Sequence, residues 1–136
     1  MTLLLERNFP ATTAALAEMR QAVKHACHAA GCSETGAEQW VLAINEACMN
    51  IIEHGYHRAD NCIYRIELSA EADQLTALIC DNGTPVQLPD LQPREFADLR
   101  PGGLGVRFMR ELTDTMHYLP ANADWHNRLQ LRTRIR

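Results

Sequence analysis

Three polar side chains that could do chemistry recur every four residues in the stretch NEACMNIIEHGY, residues 45–56. They are Glu46, Asn50 and His54. Four residues slightly exceed one α-helical turn, so these side chains form a stripe on one face of a helix. A carboxylate, an amide and an imidazole can bind a metal ion or move a proton, but an ordinary solvated face has the same composition. The stripe alone therefore leaves a surface and a site both open.

A second stretch with chemical potential is ICDNGTP, in which Asp81 ends an apolar strand pattern. Asp-Asn-Gly is ordinary turn chemistry. A strand that ends in a carboxylate is also a common way to place an acceptor in a pocket. Such an acceptor suits the exocyclic amine of adenine and would repel the carbonyl that guanine carries at the same position. Both interpretations of Asp81 stay open from these residues.

A third stretch, RPGGLGVRFMREL, places glycines directly before an apolar-periodic helix pattern. Gly102, Gly103 and Gly105 surround Leu104 there. Glycines let backbone N–H groups approach a phosphate, and a helix N-terminus adds unpaired donors and a favourable dipole. The stretch is not a P-loop, because no Gly-Lys-Ser/Thr follows, nor a dinucleotide fingerprint, because no strand leads into it. Taken alone it is weak evidence for a phosphate site.

The elements that must position these residues follow from hydrophobic periodicity. We predict strands at residues 2–9, 61–70, 74–81, 115–120 and 127–135, with helices from Thr12 or Thr13 to about Ala30, from Ser33 or Thr35 to about His54, and at 104–114. Gly31 and Gly55 are the predicted ends of the first two helices. Hairpin-paired strands with helices gathered between them predict an α+β fold, a two-layer sandwich whose mixed sheet is covered on one face by helices.

Residues 82–103 differ in composition from the predicted helices and strands, because they contain four prolines and three glycines. An irregular segment of this length is uncommon in a compact domain, and where it occurs it is often a lid or a binding loop. We therefore predict a lid at about residues 84–103.

Composition sets the class of protein. The 136 residues are 46% hydrophobic and 22% charged, which predicts a single globular domain over residues 1–136. The net charge of −4 argues against nucleic-acid binding. No stretch approaches the roughly 20 apolar residues of a membrane span, and MTLLLERNF lacks the features of a signal peptide, so we expect a cytoplasmic protein without membrane contact. Five scattered cysteines predict reduced, mainly buried thiols.

Together, NEACMNIIEHGY, DNGTP and PGGLGVRFMRELTD resemble the N box and the two glycine boxes of the GHKL (Bergerat) ATP-binding fold. Within that superfamily, the closer resemblance is to the anti-sigma-factor serine kinases of the RsbW/SpoIIAB kind. That similarity rests on HGY after the N-box asparagine, the Asp-x-Gly-x-Pro form, GGLG opening a helix and the final NRLQL strand. It extends from about Leu3 to Ile135.

The resemblance implies a role for each matching residue in the first two motifs. Asn50 would hold Mg²⁺, which prefers oxygen ligands. Glu46 would be the catalytic base that accepts the proton of an attacking hydroxyl. Asp81 would read adenine, and Gly83 would leave room for the ring.

The resemblance also implies a phosphate-binding set, made of Gly103, Leu104 and Gly105, to which Arg100 and Arg107 would add positive charge. His54 would either help to shape the nucleotide site or end its helix, where a histidine cation is favourable. We favour the second role slightly and keep both.

The implied cofactors are ATP and Mg²⁺, and the implied reaction is phosphoryl transfer to a serine of an anti-anti-sigma partner of the STAS type. The same protein, when free, would sequester a sigma factor, and family members of this kind are commonly homodimers. The alternative is an ATP-binding regulator of the same fold that acts by partner binding without kinase activity. A histidine-kinase catalytic domain fits less well, because the Asp-x-Gly-x-Pro form is that of the serine kinases.

A zinc site is a further alternative, since HACHAAGC places His25, Cys27, His28 and Cys32 close together and HGYHRAD adds two histidines. Their spacings match no common zinc pattern. Helical periodicity also turns Cys27 toward the core and the two histidines of HACHAAGC away from it. A structural zinc is therefore not expected.

Overall fold

The computed structural model describes residues 1–86, 109 and 111–135. These residues form the strands β1 (Thr2–Pro10), β2 (Ile63–Glu71), β3 (Gln74–Asp81), β4 (Thr115–Leu119) and β5 (Asn127–Arg134), and the helices α1 (Leu16–Ala29) and α2 (Glu34–Asn50). A short 3-10 helix, Thr13–Ala15, precedes α1, and a turn of π-helix, Ile51–Gly55, continues α2. The predicted strands and the first two helices are thus confirmed to within a few residues.

The strands form one sheet in the order β1-β2-β3-β5-β4, and each of these four interfaces is antiparallel. The predicted α+β class is confirmed, but the sheet is antiparallel where a mixed one was predicted. The reason is the number of helices between β1 and β2. A single crossover helix would start a parallel strand. A pair of antiparallel helices instead returns the chain to the end where β1 finished, and the contacts of Arg20 with Asn45 and of His28 with Glu34 establish that pairing.

Local capping sets the helix boundaries. The Thr12 hydroxyl accepts a hydrogen bond from the N–H of Ala15 at 3.3 Å, at the start of the first helical segment. Gly31 follows α1 with φ +98°, a left-handed conformation that glycine adopts without strain. The Ser33 hydroxyl accepts from the N–H of Gly36 at 3.0 Å, so α2 begins at the predicted cap.

The core lies between the two helices and one face of the sheet. Its buried side chains have the predicted periodicity and include Leu16, Met19, Val23 and Cys27 of α1, Ala37, Trp40, Ile44 and Cys48 of α2, and Tyr64, Ile66, Leu68, Leu129 and Leu131 of the sheet. The rings of Phe9 and Tyr64 stack with their centroids 6.0 Å apart. Outward positions carry charge, as where Arg65 pairs with Glu6 and Glu67. The sheet is therefore apolar toward the helices and polar on its open face.

All five cysteines lie in the described ranges and are free thiols, as predicted. Cys27, Cys32, Cys48 and Cys80 are buried, and Cys62 is half-buried. Burial raises the pKa of Cys27 and of Cys48 to about 12. No helix among the described residues combines the length and the apolar character that a membrane span requires.

Candidate functional site

The end of α2 is a π-helical turn, Ile51–Gly55, which the sequence did not predict. The N–H of Tyr56 donates to the carbonyl of Ile51 at 2.8 Å, a spacing of five residues where an α-helix would have four. The predicted end at Gly55 is correct. The wider turn changes the rotation of the side chains within it, so His54, which is exposed, does not continue the stripe as a regular α-helix would place it. A π turn inside a helix frequently marks a functional site.

Glu46 and Asn50 lie one turn apart in the regular part of α2, and both are half-buried. Among the described residues, neither side chain forms a hydrogen bond or an ion pair. A carboxylate and an amide in that position keep their hydrogen-bonding capacity for a ligand. Glu46 and Asn50 therefore keep the predicted four-residue arrangement on one helix face, and His54 does not. The predicted nucleotide role of His54 stays a prediction.

Asp81 is buried at the end of β3, with 5% of its surface exposed. Its Oδ1 accepts hydrogen bonds from the N–H of Gly83 at 2.8 Å and from Nδ2 of Asn127 at 3.0 Å. Burial raises the pKa of Asp81, while these two hydrogen bonds and the charge of His126 oppose the rise. Oδ2 accepts no hydrogen bond from the described residues. One oxygen is therefore fixed, and the other is left as an acceptor.

Gly83 packs directly against the backbone of Gly55, so the end of β3 meets the π turn. A Cβ atom at position 83 would lie 2.5 Å from the carbonyl carbon of Gly55, which is closer than two such atoms can approach. The next N–H, that of Thr84, donates to the carbonyl of Gly55 at 2.8 Å. This contact requires glycine at position 83. The space for an adenine ring that was predicted there stays a prediction.

Tyr56 joins the π turn to both neighbouring strands. Its hydroxyl donates to the carbonyl of Ile63 and accepts from the N–H of Asn82, each at 2.7 Å. Asn82 in turn accepts from the N–H of His126 at 2.8 Å and donates to the carbonyl of Asp124 at 2.9 Å. The π turn, the end of β3 and the connection from β4 to β5 are thus held in one hydrogen-bonded framework.

Asp81 lies beside the π turn, because a Cβ atom built on Gly55 would be 3.5 Å from its Oδ1. Burial is the main cause of the raised pKa of Cys48, and the negative charge of Asp81 adds to it. On β4, burial raises the pKa of Tyr118, and the charge of Asp81 again contributes. The structure therefore brings Asp81 to the C-terminal end of the helix that carries Glu46 and Asn50. Cys48 itself is buried in the core and lies on roughly the opposite face of α2 from those two side chains.

Tyr56 and Asn127 are among the residues of this region that had no role assigned from the sequence. Tyr56 stands in the HGY of the N box, and Asn127 begins the NRLQL strand. A signal for Asn127 does exist in the sequence. It is in phase with Leu129 and Leu131 on the inward face of β5, where a polar residue requires a buried partner.

Several predicted residues lie outside the described ranges. They are Arg100, Gly103, Leu104, Gly105 and Arg107, together with the predicted lid beyond residue 86. Of the helix predicted at 104–114, residues 109, 111 and 112 are described and are helical. The phosphate-binding roles stay predictions.

A surface groove and a cluster of metal-binding side chains are two other kinds of ligand site, and in the described ranges neither is found at this region. A groove of about 540 Å³ lies on the open face of the sheet, where Arg65, Cys80, Trp125 and Arg128 contribute to its lining. Cys80 and Asp81 are consecutive strand residues and point to opposite faces, so this groove is not the predicted site. In the part of the chain that the structure covers, no three His, Cys, Asp or Glu side chains come together as a metal site.

Residues 9–133 match the family described as the histidine kinase-like ATPase domain. The chain belongs to this family. The serine-protein kinase RsbW of Bacillus licheniformis is 31% identical to it over 97 residues, which are 64% of this chain and 60% of that kinase. The matched region thus spans three fifths of the relative's length.

Among solved structures, this histidine kinase-like ATPase domain is similar to the SiaB-SiaC complex from Pseudomonas aeruginosa. The TM-score is 0.64, and the match covers 97% of this chain and 90% of the other at 16% sequence identity. At that identity the likeness shows the fold alone. The predicted resemblance to GHKL and RsbW-like proteins is confirmed by the family and by the RsbW match, and ATP is the nucleotide that the family's description implies.

Proposed function

We propose that this domain is an ATP-dependent protein kinase that phosphorylates a serine of an anti-anti-sigma partner of the STAS type. When free, it would sequester a sigma factor, and it would act as a homodimer. The observation that carries the proposal is the buried, oriented carboxylate of Asp81 beside the π turn, which ends the helix that carries the half-buried Glu46 and Asn50. The relative's name, serine-protein kinase, supports transfer to serine. The similar fold from Pseudomonas aeruginosa was solved as a complex of SiaB with SiaC, which supports a protein partner.

Adenine recognition would fall to Asp81. Its Oδ2 has no hydrogen-bond donor among the described residues and can accept one from the exocyclic amine of adenine. Guanine presents a carbonyl at that position, and two acceptors repel each other. The site should therefore prefer ATP to GTP.

Phosphate and metal binding would fall to α2 and to the glycine-rich stretch. The amide oxygen of Asn50 is the type of ligand that Mg²⁺ accepts beside waters and phosphates, and its lack of a described partner fits that role. The backbone of Gly103, Leu104 and Gly105 would contact the phosphates. When bound, ATP supplies the transferable phosphoryl group and Mg²⁺ neutralises phosphate charge.

Glu46 would act as the general base. Its half-buried carboxylate is not held by an ion pair with a described residue, so it is available to accept the proton of the partner's serine hydroxyl. General-base catalysis typically contributes about 10²–10⁴-fold to a rate. A glutamine at position 46 keeps the shape and cannot accept that proton.

Incubation with labelled ATP and purified STAS proteins tests the proposal. The wild type should label a serine of one of them, and Glu46→Gln should keep its ATP affinity within about twofold while transfer falls at least about 10²-fold. Glu53→Gln is a matched control, because Glu53 lies in the π turn that continues α2 but is paired with Arg58. Transfer by Glu46→Gln at the wild-type rate contradicts the base assignment. ATP binding without transfer by the wild type favours the regulator that lacks kinase activity.

A further inference from the structure

We propose that Asn127 is a positioning residue for adenine recognition, which orients the Asp81 carboxylate and fixes residues 84–86 against β5. The inference rests on the ATP-binding function proposed above and adds a residue to it. Asn127 does not need to contact the nucleotide. It acts through Asp81 and through the backbone that leaves β3.

The side chain of Asn127 forms three hydrogen bonds within the fold, which involve both of its N–H donors and its oxygen. It is 5% exposed and stands opposite Asp81 in the β3–β5 register. Nδ2 donates to Oδ1 of Asp81 at 3.0 Å and to the carbonyl of Thr84 at 3.1 Å. Its Oδ1 accepts from the N–H of Val86 at 2.9 Å. Since a hydroxyl has one hydrogen and a carboxylate has none, the amide suits this combination of two donors and one acceptor.

These contacts fix the direction of the free oxygen of Asp81. Both donors, the N–H of Gly83 and Nδ2 of Asn127, reach Oδ1, so Oδ2 points away from them. Gly83 belongs to the same turn as Asp81. Asn127 is the donor that comes from another strand, and it therefore ties the carboxylate to the sheet.

Asn127 also favours the ionised form of Asp81, which is the form that accepts a hydrogen bond from an amine. Around Asp81, the described titratable groups are Cys48 of α2, Tyr56 after the π turn, Tyr118 of β4 and His126 before β5. Burial raises the pKa of the thiol and of both phenols, so they are neutral at neutral pH. A protonated His126 would favour the carboxylate. Loss of the Asn127 donor should therefore raise the pH at which Asp81 stops accepting.

The test compares ATP with purine riboside triphosphate, which lacks the 6-amine, by titration calorimetry. Wild type should bind ATP about 10- to 100-fold more tightly than the analogue, because a hydrogen bond to a charged group is at stake. In Asn127→Leu, ATP affinity should fall about 10-fold and analogue affinity should change little, so the ratio collapses. A general structural defect would weaken both ligands equally and preserve the ratio.

Two further variants complete the test. Thr133→Val removes a buried polar group from the same inward row of β5 and should keep the wild-type ratio. Asn127→Ser is the milder change. It should give an intermediate ratio of ATP affinity to analogue affinity, and the loss of ATP preference should occur at higher pH than in the wild type. This variant decides the question if Asn127→Leu does not fold. A wild type that binds neither ligand contradicts the proposed function. This inference alone is contradicted if the wild type prefers ATP and either Asn127 variant keeps that preference in full, with the same pH midpoint for its loss.

Discussion

The protonation state of Asp81 that favours folding differs from the one that would accept a hydrogen bond from adenine. Its burial raises its pKa, so the folded protein favours the protonated carboxyl more than the unfolded chain does. A group with a raised folded-state pKa contributes its full stability below the ordinary pKa of an aspartate. That contribution is lost as the pH rises through the raised value. At neutral pH the ionised carboxylate needed to accept an amine therefore lowers the free energy of unfolding.

Asp81→Asn should accordingly be more stable than wild type at neutral pH in the absence of nucleotide. The difference should shrink as the pH falls, because wild-type Asp81 then becomes protonated and loses its disadvantage. Urea unfolding between about pH 4 and about pH 7.5 measures it. Asp60→Asn, at an exposed loop position, is the control and should show no such trend. An Asp81→Asn protein less stable than wild type at neutral pH would contradict the expected sign.

The contact between Gly55 and Gly83 should tolerate a methyl group on one side only. In Gly83→Ala the new Cβ would lie 2.5 Å from the carbonyl carbon of Gly55, so the backbone must shift, at a cost of about 1–3 kcal/mol. In Gly55→Ala the nearest atom, Oδ1 of Asp81, is 3.5 Å away, an ordinary contact. Denaturant unfolding of both variants tests the asymmetry, and equal losses would refute it.

Among the elements, the π turn determines where the end of α2 meets the strands. Deleting the exposed His54 would allow α-helical bonding through the turn and rotate the residues that follow by about 100°. Gly55 would lose its contact with Gly83, and Tyr56 would lose its bonds to Ile63 and Asn82.

We therefore expect the deletion of His54 to preserve most of the helical circular dichroism, lower the melting temperature and remove measurable ATP binding. His54→Ala keeps the turn length and should keep both properties if the residue only ends the helix. A nucleotide-binding defect in His54→Ala would instead support its predicted role in the site.

Helical periodicity was sufficient to predict α2, its apolar face and its end at Gly55. It could not predict the π turn. An α-helical and a π-helical turn differ in which carbonyl accepts the hydrogen bond from the N–H of Tyr56, and the pattern of apolar residues is the same for both. The strand directions were predictable in principle. Two helices between β1 and β2 imply an antiparallel pair, and the predicted elements already contained both.

Across the whole molecule, the site depends on contacts between distant parts of the chain. The hydrogen-bonded residues Asp81 and Asn127 are 46 positions apart in the sequence, and Asn82 and His126 are 44 apart. Motif spacing identified Asp81, which stands in a local pattern. It could not identify Asn127 as the residue that donates a hydrogen bond to Asp81, because the sequence pattern of one strand does not show which other strand pairs with it. Register, which the fold alone determines, places Asn127 opposite Asp81.

Because the framework joins α2, β3 and β5, a nucleotide bound there should stabilise the entire fold. At an ATP concentration of about 100 times Kd, mass action should add about 2.7 kcal/mol to the free energy of unfolding. Thermal denaturation with and without ATP measures this gain. Asp60→Asn should show the wild-type shift, and Asp81→Asn should show much less at the same ATP concentration. A wild type whose melting temperature ignores ATP would contradict the proposed binding.

The distribution of the cysteines also gives the molecule a natural attachment point for a dye. Thiolates are the reactive form of cysteine, and burial shields Cys27, Cys32, Cys48 and Cys80 from reagents. Cys62 is half-buried and directly precedes Ile63, whose carbonyl binds the Tyr56 hydroxyl. A maleimide fluorophore should therefore react first at Cys62. Its emission would then follow nucleotide binding at the neighbouring π turn without any engineered cysteine.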